Sequence, residues 1–110
     1  MATIEDFISL DIRIGTVIQA EELAKAKVPA IKMNIDFGEA LGMKQSSAQI
    51  TKRYSPADII GKQVVAIVNF PPRRVAGFKS EVLVIGGVPT EGDVVLLTPD
   101  QEIPNGTKIS

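Results

Sequence analysis

A chain of 110 residues that is 45% hydrophobic and 5% aromatic, with no tryptophan, has the make-up of one ordinary globular domain spanning residues 1–110. It holds no cysteine and no histidine. That removes disulfides, thiol nucleophiles, thiolate metal sites and the side chain most used for proton transfer near neutral pH.

In chain order, the opening MATIEDFISLDI carries acids rather than a basic stretch or a long apolar one, so no secretory signal is expected. No run approaches the roughly 18 apolar residues of a membrane span, so no membrane insertion is expected and cytoplasm is the expected location. Thr3 followed by Asp6 reads as a capping box for a short N-terminal turn with Ile4, Phe7 and Ile8 on its apolar side. LDIRIGTVIQAEEL sets Leu10, Ile12 and Ile14 against Asp11, Arg13 and Gly15, the period of a half-buried strand, with Gly15 marking a bulge or sharp bend. AIKMNIDF alternates Ile31, Met33, Ile35 and Phe37 against Lys32, Asn34 and Asp36, the cleanest strand signal; GEALG is a turn and MKQSSAQI a more polar third strand. In SPADIIG, Ser55 is the N-cap, Pro56 the first helical residue, Asp58 sits near the positive end of the dipole and Gly61 stops the helix. QVVAIVNF and EVLVIGG are continuous apolar runs, expected to be strands buried on both faces; VVLLTP is a last strand before a turn-rich tail. Five or six short strands with a helix between the third and fourth predict an all-β barrel of the OB-fold type.

Little here points to catalysis. Ser46 and Ser47 have no histidine to activate them, and Asp11, Asp36, Asp58 and Asp93 lack metal-loop spacing. GGVPTEG has neither phosphate-loop nor dinucleotide spacing. No enzyme, cofactor or metal is expected.

The formal charge of −1 argues against a nucleic-acid binder, but the charge is segregated. From Lys44 to Lys79 there are seven cations (Lys44, Lys52, Arg53, Lys62, Arg73, Arg74, Lys79) against Asp58 alone, a balance of +6 that leaves −7 elsewhere. On a shared face these cations attract polyanions; scattered, they serve solubility. The sharpest concentration is in VNFPPRRVAGFKSEVLVIGG. Pro71 and Pro72 cannot donate to a sheet ladder and hold a rigid corner, Arg73 and Arg74 follow at once, Gly77 permits a turn, Phe78 lies in a loop and Lys79 adds a third charge. Such a loop binds looped nucleic acid through phosphate contacts and stacking, or grips an extended peptide with Phe78 and Val75, or is a plain turn with solvated arginines and Phe78 folded back on the core. Lys52, Arg53 and Tyr54 pose the same choice: an extension of the basic surface, or a solvated rim with Tyr54 closing the barrel. Phe7, Phe37 and Phe70 lie on apolar faces and are expected in the core.

LDIRIGTV, ITKRYSPADIIGKQVV, VNFPPRRVAGFKSE and VVLLTPDQEIPNGTKI, in that order across nearly the whole chain, resemble the tRNA-binding OB domain found free-standing and at the C-terminus of many methionyl-tRNA synthetases. That family's Asn-x-x-Pro-basic-basic-x-x-Gly-x-x-Ser-Glu pattern maps onto Asn69, Pro72, Arg73, Arg74, Gly77, Ser80 and Glu81. VPAIKMNIDFG, KQSSAQITKRY and NFPPRRVAGFKSEVLV are similar to a chaperone-like branch of the family implicated in protein export. Two steps depart from the tRNA-binding members: Val82-Leu83 stands where they continue Gly-Met, and Ala48-Gln49-Ile50 where they have Ser-Gly-Ile. The branched Val82 makes its position more apolar, as suits a peptide-binding cavity.

The resemblance implies a five-stranded Greek-key OB barrel with one short helix and N- and C-terminal extensions. It implies a homodimer joined through MATIEDFISL and the tail after Pro99. The implied function is an export-related chaperone for unfolded or precursor polypeptides, with the export motor protein as a further partner and tRNA as a second ligand. The alternative is a structure-specific tRNA-binding protein assisting a synthetase, and a third reading is a scaffold with one protein partner. By the same resemblance and the corner's chemistry, Arg73, Arg74, Phe78 and Lys79 form the site's rim, helped by Lys52, Arg53 and Gln49, while Asn69, Pro72, Gly77, Ser80 and Glu81 support the loop.

Overall fold

The computed structural model describes residues 1–110. Its elements are α1 (Ile4–Ile8), β1 (Ile12–Glu22), β2 (Ile31–Asp36), β3 (Met43–Ala48), α2 (Pro56–Ile59), β4 (Gln63–Ile67), β5 (Arg73–Val75), β6 (Phe78–Ser80), β7 (Leu83–Val84), β8 (Gly86–Thr90) and β9 (Asp93–Leu96). One antiparallel sheet runs in the order β3-β2-β1-β4-β7, and β5–β6 and β8–β9 form two separate hairpins. The strand order brings the fifth strand back towards the third, and Glu81 closes the gap by donating its N–H to the Gln45 carbonyl at 2.8 Å. The result is an OB-fold barrel with α2 between its third and fourth strands.

Alternation builds the core. Ile31, Met33 and Ile35 of β2 point inward with Val17, Phe37, Ile50, Ile59, Val64 and Ala66. On β4 the two faces separate cleanly: Val64 and Ala66 enter this cluster, whereas Val65 and Ile67 join Ile12 and Ile14 in a second one. The tail covers the second cluster with Ile103 and Ile109. It is held to β1 by backbone bonds from Gly106 to Ile14, Ile14 to Thr107 and Ile109 to Ile12. The expected burial of QVVAIV on both sides is therefore met by the C-terminal extension.

Four expectations need correction. EVLVIGG is not one buried strand: it breaks at Ile85, and Leu83 is 37% exposed. The chain leaves the barrel there to pair β8 with β9, and Gly86 is needed because a Cβ would lie 2.5 Å from the Val95 carbonyl oxygen. Gly15 marks no bulge, since the register of β1 shifts between Val17 and Gln19. Its glycine admits one side chain of β2 and one just past its end: a Cβ would lie 2.6 Å from Ile35 Cγ2 and 2.8 Å from the Phe37 ring. Phe7 and Phe70 are 39% and 42% exposed, so of the three phenylalanines expected inside only Phe37 is buried. Phe78 lies in strand β6 rather than in a loop.

The capping box of α1 forms as read, with Thr3 and Asp6 bonding reciprocally. Yet α1 buries none of its residues: Ile4 is 65% and Ile8 63% exposed.

Candidate ligand-binding site

The basic corner is anchored at its base. Asn69 accepts from the Asp11 N–H at 2.9 Å and donates to the Ser9 carbonyl at 2.9 Å, tying the end of β4 to the start of β1. Pro71 and Pro72 then lead into β5 without a donor of their own. A two-residue turn, Ala76-Gly77, joins β5 to β6 with φ of +50° and +80°, the left-handed geometry that matches the twist of a tight hairpin. Gly77 adopts it freely; Ala76 does so at a cost of about 1 kcal/mol.

The far side of the hairpin is sewn to β3. Ser80 is buried, and its Oγ accepts from the Ser47 N–H at 3.0 Å. Glu81 Oε1 accepts from the Gln45 N–H at 3.1 Å, and Gln45 Nε2 donates to the Lys79 carbonyl at 2.9 Å. Asn69, Ser80 and Glu81 thus all hydrogen-bond around the corner.

Register divides the rim. Arg74 is paired with Lys79, while Arg73 is paired with Ser80 and Val75 with Phe78. Paired residues share a face of the ribbon and neighbours alternate, so Arg74 and Lys79 point to solvent while Val75, Phe78 and Ser80 turn toward the barrel. Arg74 Nη1 donates to the Gly77 carbonyl at 3.1 Å, bracing the turn. The chain's ion pairs use Arg13, Lys32 and Arg53, leaving Arg73, Arg74, Lys79 and Lys52 without acidic partners.

Arg53 is engaged elsewhere. Its Nε and Nη2 donate to the two carboxylate oxygens of the largely buried Asp93 on β9, the second at 2.9 Å. The hydrogen bond holds the Asp93 carboxyl below its usual range, and the same bond raises Arg53. Tyr54 Oη accepts from the Leu96 N–H at 3.1 Å, and the ring packs against the larger core cluster. Tyr54 therefore closes the barrel, and Lys52 beside it is exposed.

Hollows flank the hairpin on both sides. On the β6 side a cavity of about 420 Å³ is lined by Phe78 with Lys32, Ile18, Ile60, Asn34 and Gln45, among others. Lys32 Nζ lies 3.0 Å from Glu21 Oε1 and 5.9 Å from the centre of the Phe78 ring. On the β5 side a cavity of about 400 Å³ is lined by Arg73, Val75, Gln49, Leu83, Val84 and Val94, among others. Lys32 carries no site signal in the sequence beyond its outward place in the alternation of β2. Val82 does not enlarge either hollow. It is 5% exposed and packs into the core, while its carbonyl accepts from Ser46 Oγ at 2.8 Å. Most of its apolar surface therefore fills the barrel, and the rest lines a hollow of about 200 Å³ beside the basic corner, together with Phe70, Pro71 and Arg73. No cluster of three or more His, Cys, Asp or Glu side chains is arranged to hold a metal ion. The arrangement offers free cations, aliphatic walls and one ring, the equipment of a binding surface.

A family model described as "Putative tRNA binding domain" matches residues 12–108. Among curated relatives, the methionine–tRNA ligases of Porphyromonas gingivalis and Methanococcoides burtonii are 36% and 37% identical over 96% and 99% of this chain. The chain spans only 15% and 16% of their lengths. Among solved structures, the chaperone CsaA of Bacillus anthracis is 73% identical with a TM-score of 0.95, covering 100% of this chain and 99% of that one. The CsaA chaperone protein of Picrophilus torridus is 46% identical with a TM-score of 0.92 over the whole of both chains. These likenesses support a chaperone or tRNA-binding role. With a model covering all but the N-terminal helix and the last residues, and the barrel, α2 and anchored basic hairpin in place, the chain belongs to the family of tRNA-binding OB domains.

Proposed function

We propose that this protein is a cytoplasmic molecular chaperone that binds unfolded or precursor polypeptides in connection with protein export, working as a homodimer. The observation that carries the reading is the 73% identity, over the entire chain, with a protein described as the chaperone CsaA. The site agrees with it: Arg73, Val75, Gln49 and Leu83 border an aliphatic hollow beside a rigid corner. A corner with little freedom left to lose meets a flexible ligand at lower entropic cost. The exposed apolar residues of α1 support the dimer, since a second copy is the natural cover for Ile4 and Ile8. In this reading Arg73 and Gln49 contact the polypeptide directly, and Arg53 holds the barrel end through Asp93.

A second reading, a structure-specific tRNA-binding protein, is favoured by the outward pair Arg74 and Lys79 and by Phe78 beside Lys32. The test is Arg73→Ala with Arg74→Ala, read by the protein's ability to hold an unfolded precursor in a translocation-competent state. Loss of that ability with an unchanged circular dichroism spectrum is expected. Full activity in the double variant would reject the site, and wild-type protein that holds no precursor would reject the function.

A further inference from the structure

We infer that the polypeptide segments held on the β5 side of the hairpin are extended stretches mixing aliphatic with acidic residues, and that Lys25 and Lys27 in the β1–β2 loop set this charge preference; this rests on the polypeptide reading above. Beside the hollow lined by Arg73 and Leu83 lies another, of about 340 Å³, walled by Lys25, Lys27 and Val28. Gln49 and Val75 line both, so the two form one groove running from the β1–β2 loop to β7.

The groove's surface suits aliphatic side chains. Val28 and Leu83 are 53% and 37% exposed, and Val75 is half-buried. No aromatic residue lines either hollow; Phe78 faces the cavity on the opposite side of the hairpin. Single-stranded nucleic acid is held largely by stacking on rings, and the ring of Phe70 lies outside these two hollows, past Arg73 and Leu83.

The charges all have one sign. Lys25, Lys27 and Arg73 border the groove and none is in an ion pair; the Glu81 carboxylate lies past its β7 end in an adjoining hollow of about 200 Å³, where it accepts from the Gln45 N–H. A carboxylate entering between the β1–β2 loop and Arg73 meets only cations. At the junction the exposed Gln49 carboxamide has no hydrogen-bond partner within the chain, leaving two donors and an acceptor for a peptide backbone. Neither lysine belongs to the charge concentration between Lys44 and Lys79; the fold brings them to the same groove as Arg73.

The experiment uses three fluorescent peptides of identical aliphatic spacing, with aspartate, serine or lysine between the aliphatic residues. They are titrated into the wild type and into Lys25→Glu/Lys27→Glu near 50 mM salt. Wild type is expected to bind the aspartate peptide about tenfold tighter than the lysine peptide, and the variant to reverse that order while keeping its fold by circular dichroism. Equal binding of all three by the wild type, or an order that survives the charge reversal, would overturn the inference while leaving the polypeptide reading intact. If neither the peptides nor an unfolded polypeptide bind at all, the polypeptide reading itself falls. Displacement of the aspartate peptide by oligouridylate that binds more tightly and is lost in the variant would make the groove a nucleic-acid site, and would likewise overturn it.

Discussion

Replacing Arg74 and Lys79 together by alanine removes both outward charges of the hairpin and leaves Arg73, Val75 and Phe78 in place. Each phosphate contact contributes about 0.7 to 0.9 to the slope of log affinity against log salt, so losing two flattens that slope by about 1.4 to 1.8. Between about 50 and 200 mM salt the logarithm of concentration changes by about 0.6, so wild type should lose roughly tenfold more tRNA affinity across this range than the variant. Polypeptide binding, proposed for the β5-side groove, should change by no more than about twofold. The substitutions are on the surface and give up one exposed hydrogen bond, from Arg74 to Gly77, so stability should move by only about 0.5 kcal/mol. Fluorescence anisotropy with labelled tRNA and labelled precursor at several salt concentrations reads both effects. An unchanged salt slope, or parallel losses for both ligands, would refute the separation of the two hairpin faces.

Gly15→Ala should destabilise the barrel by about 1 to 3 kcal/mol, because the new methyl meets Ile35 and the Phe37 ring at 2.6 and 2.8 Å; thermal unfolding should shift down by roughly 4 °C per kcal/mol. Ala76→Asn should raise stability by about 0.5 to 1 kcal/mol in denaturant unfolding, since asparagine tolerates the positive φ at that turn position better than alanine does. The carboxyl of Asp93 is held below its ordinary pKa of about 3.9 by the Arg53 hydrogen bond, so its contribution is complete above that value and is lost as pH falls through the lower, folded-state pKa. Asp93→Asn should therefore lose less stability than wild type on acidification below about pH 4, as followed by urea unfolding at each pH.

The parts of the fold legible in the sequence are those set by local chemistry. The alternation from Ile31 to Phe37 marks β2 because one face is buried and the other is not, and Ser55-Pro56-Ala57-Asp58 marks α2 because each residue suits its place in the first turn. Ser55 N–H and Oγ both bond to the Asp58 carboxylate, at 2.8 and 3.0 Å. What escaped depends on partners distant in sequence or on unusual backbone. Ala76 carries no turn signal of its own, so nothing local marks the β5–β6 hairpin or sets Phe78 in a strand. Arg53 looked available until the fold brought Asp93, 40 positions away, against it. Val82 lines a hollow beside the corner, but its packing into the core follows only from the closure of β3 on the segment after β6. Of the site, the cations and their rigid corner were visible from Pro71 to Lys79. The division into two faces was not, because it follows from the pairing of Arg74 with Lys79.

The most direct measurement is the binding of a fluorescent unfolded precursor to the purified protein near physiological salt, repeated at higher salt and with tRNA as competitor. A chaperone with an aliphatic groove should bind the precursor measurably, weaken only modestly as salt rises, and lose binding when Arg73 and Arg74 are replaced by alanine. Tight tRNA binding beside no detectable precursor binding would contradict that function and make tRNA the ligand this hairpin serves.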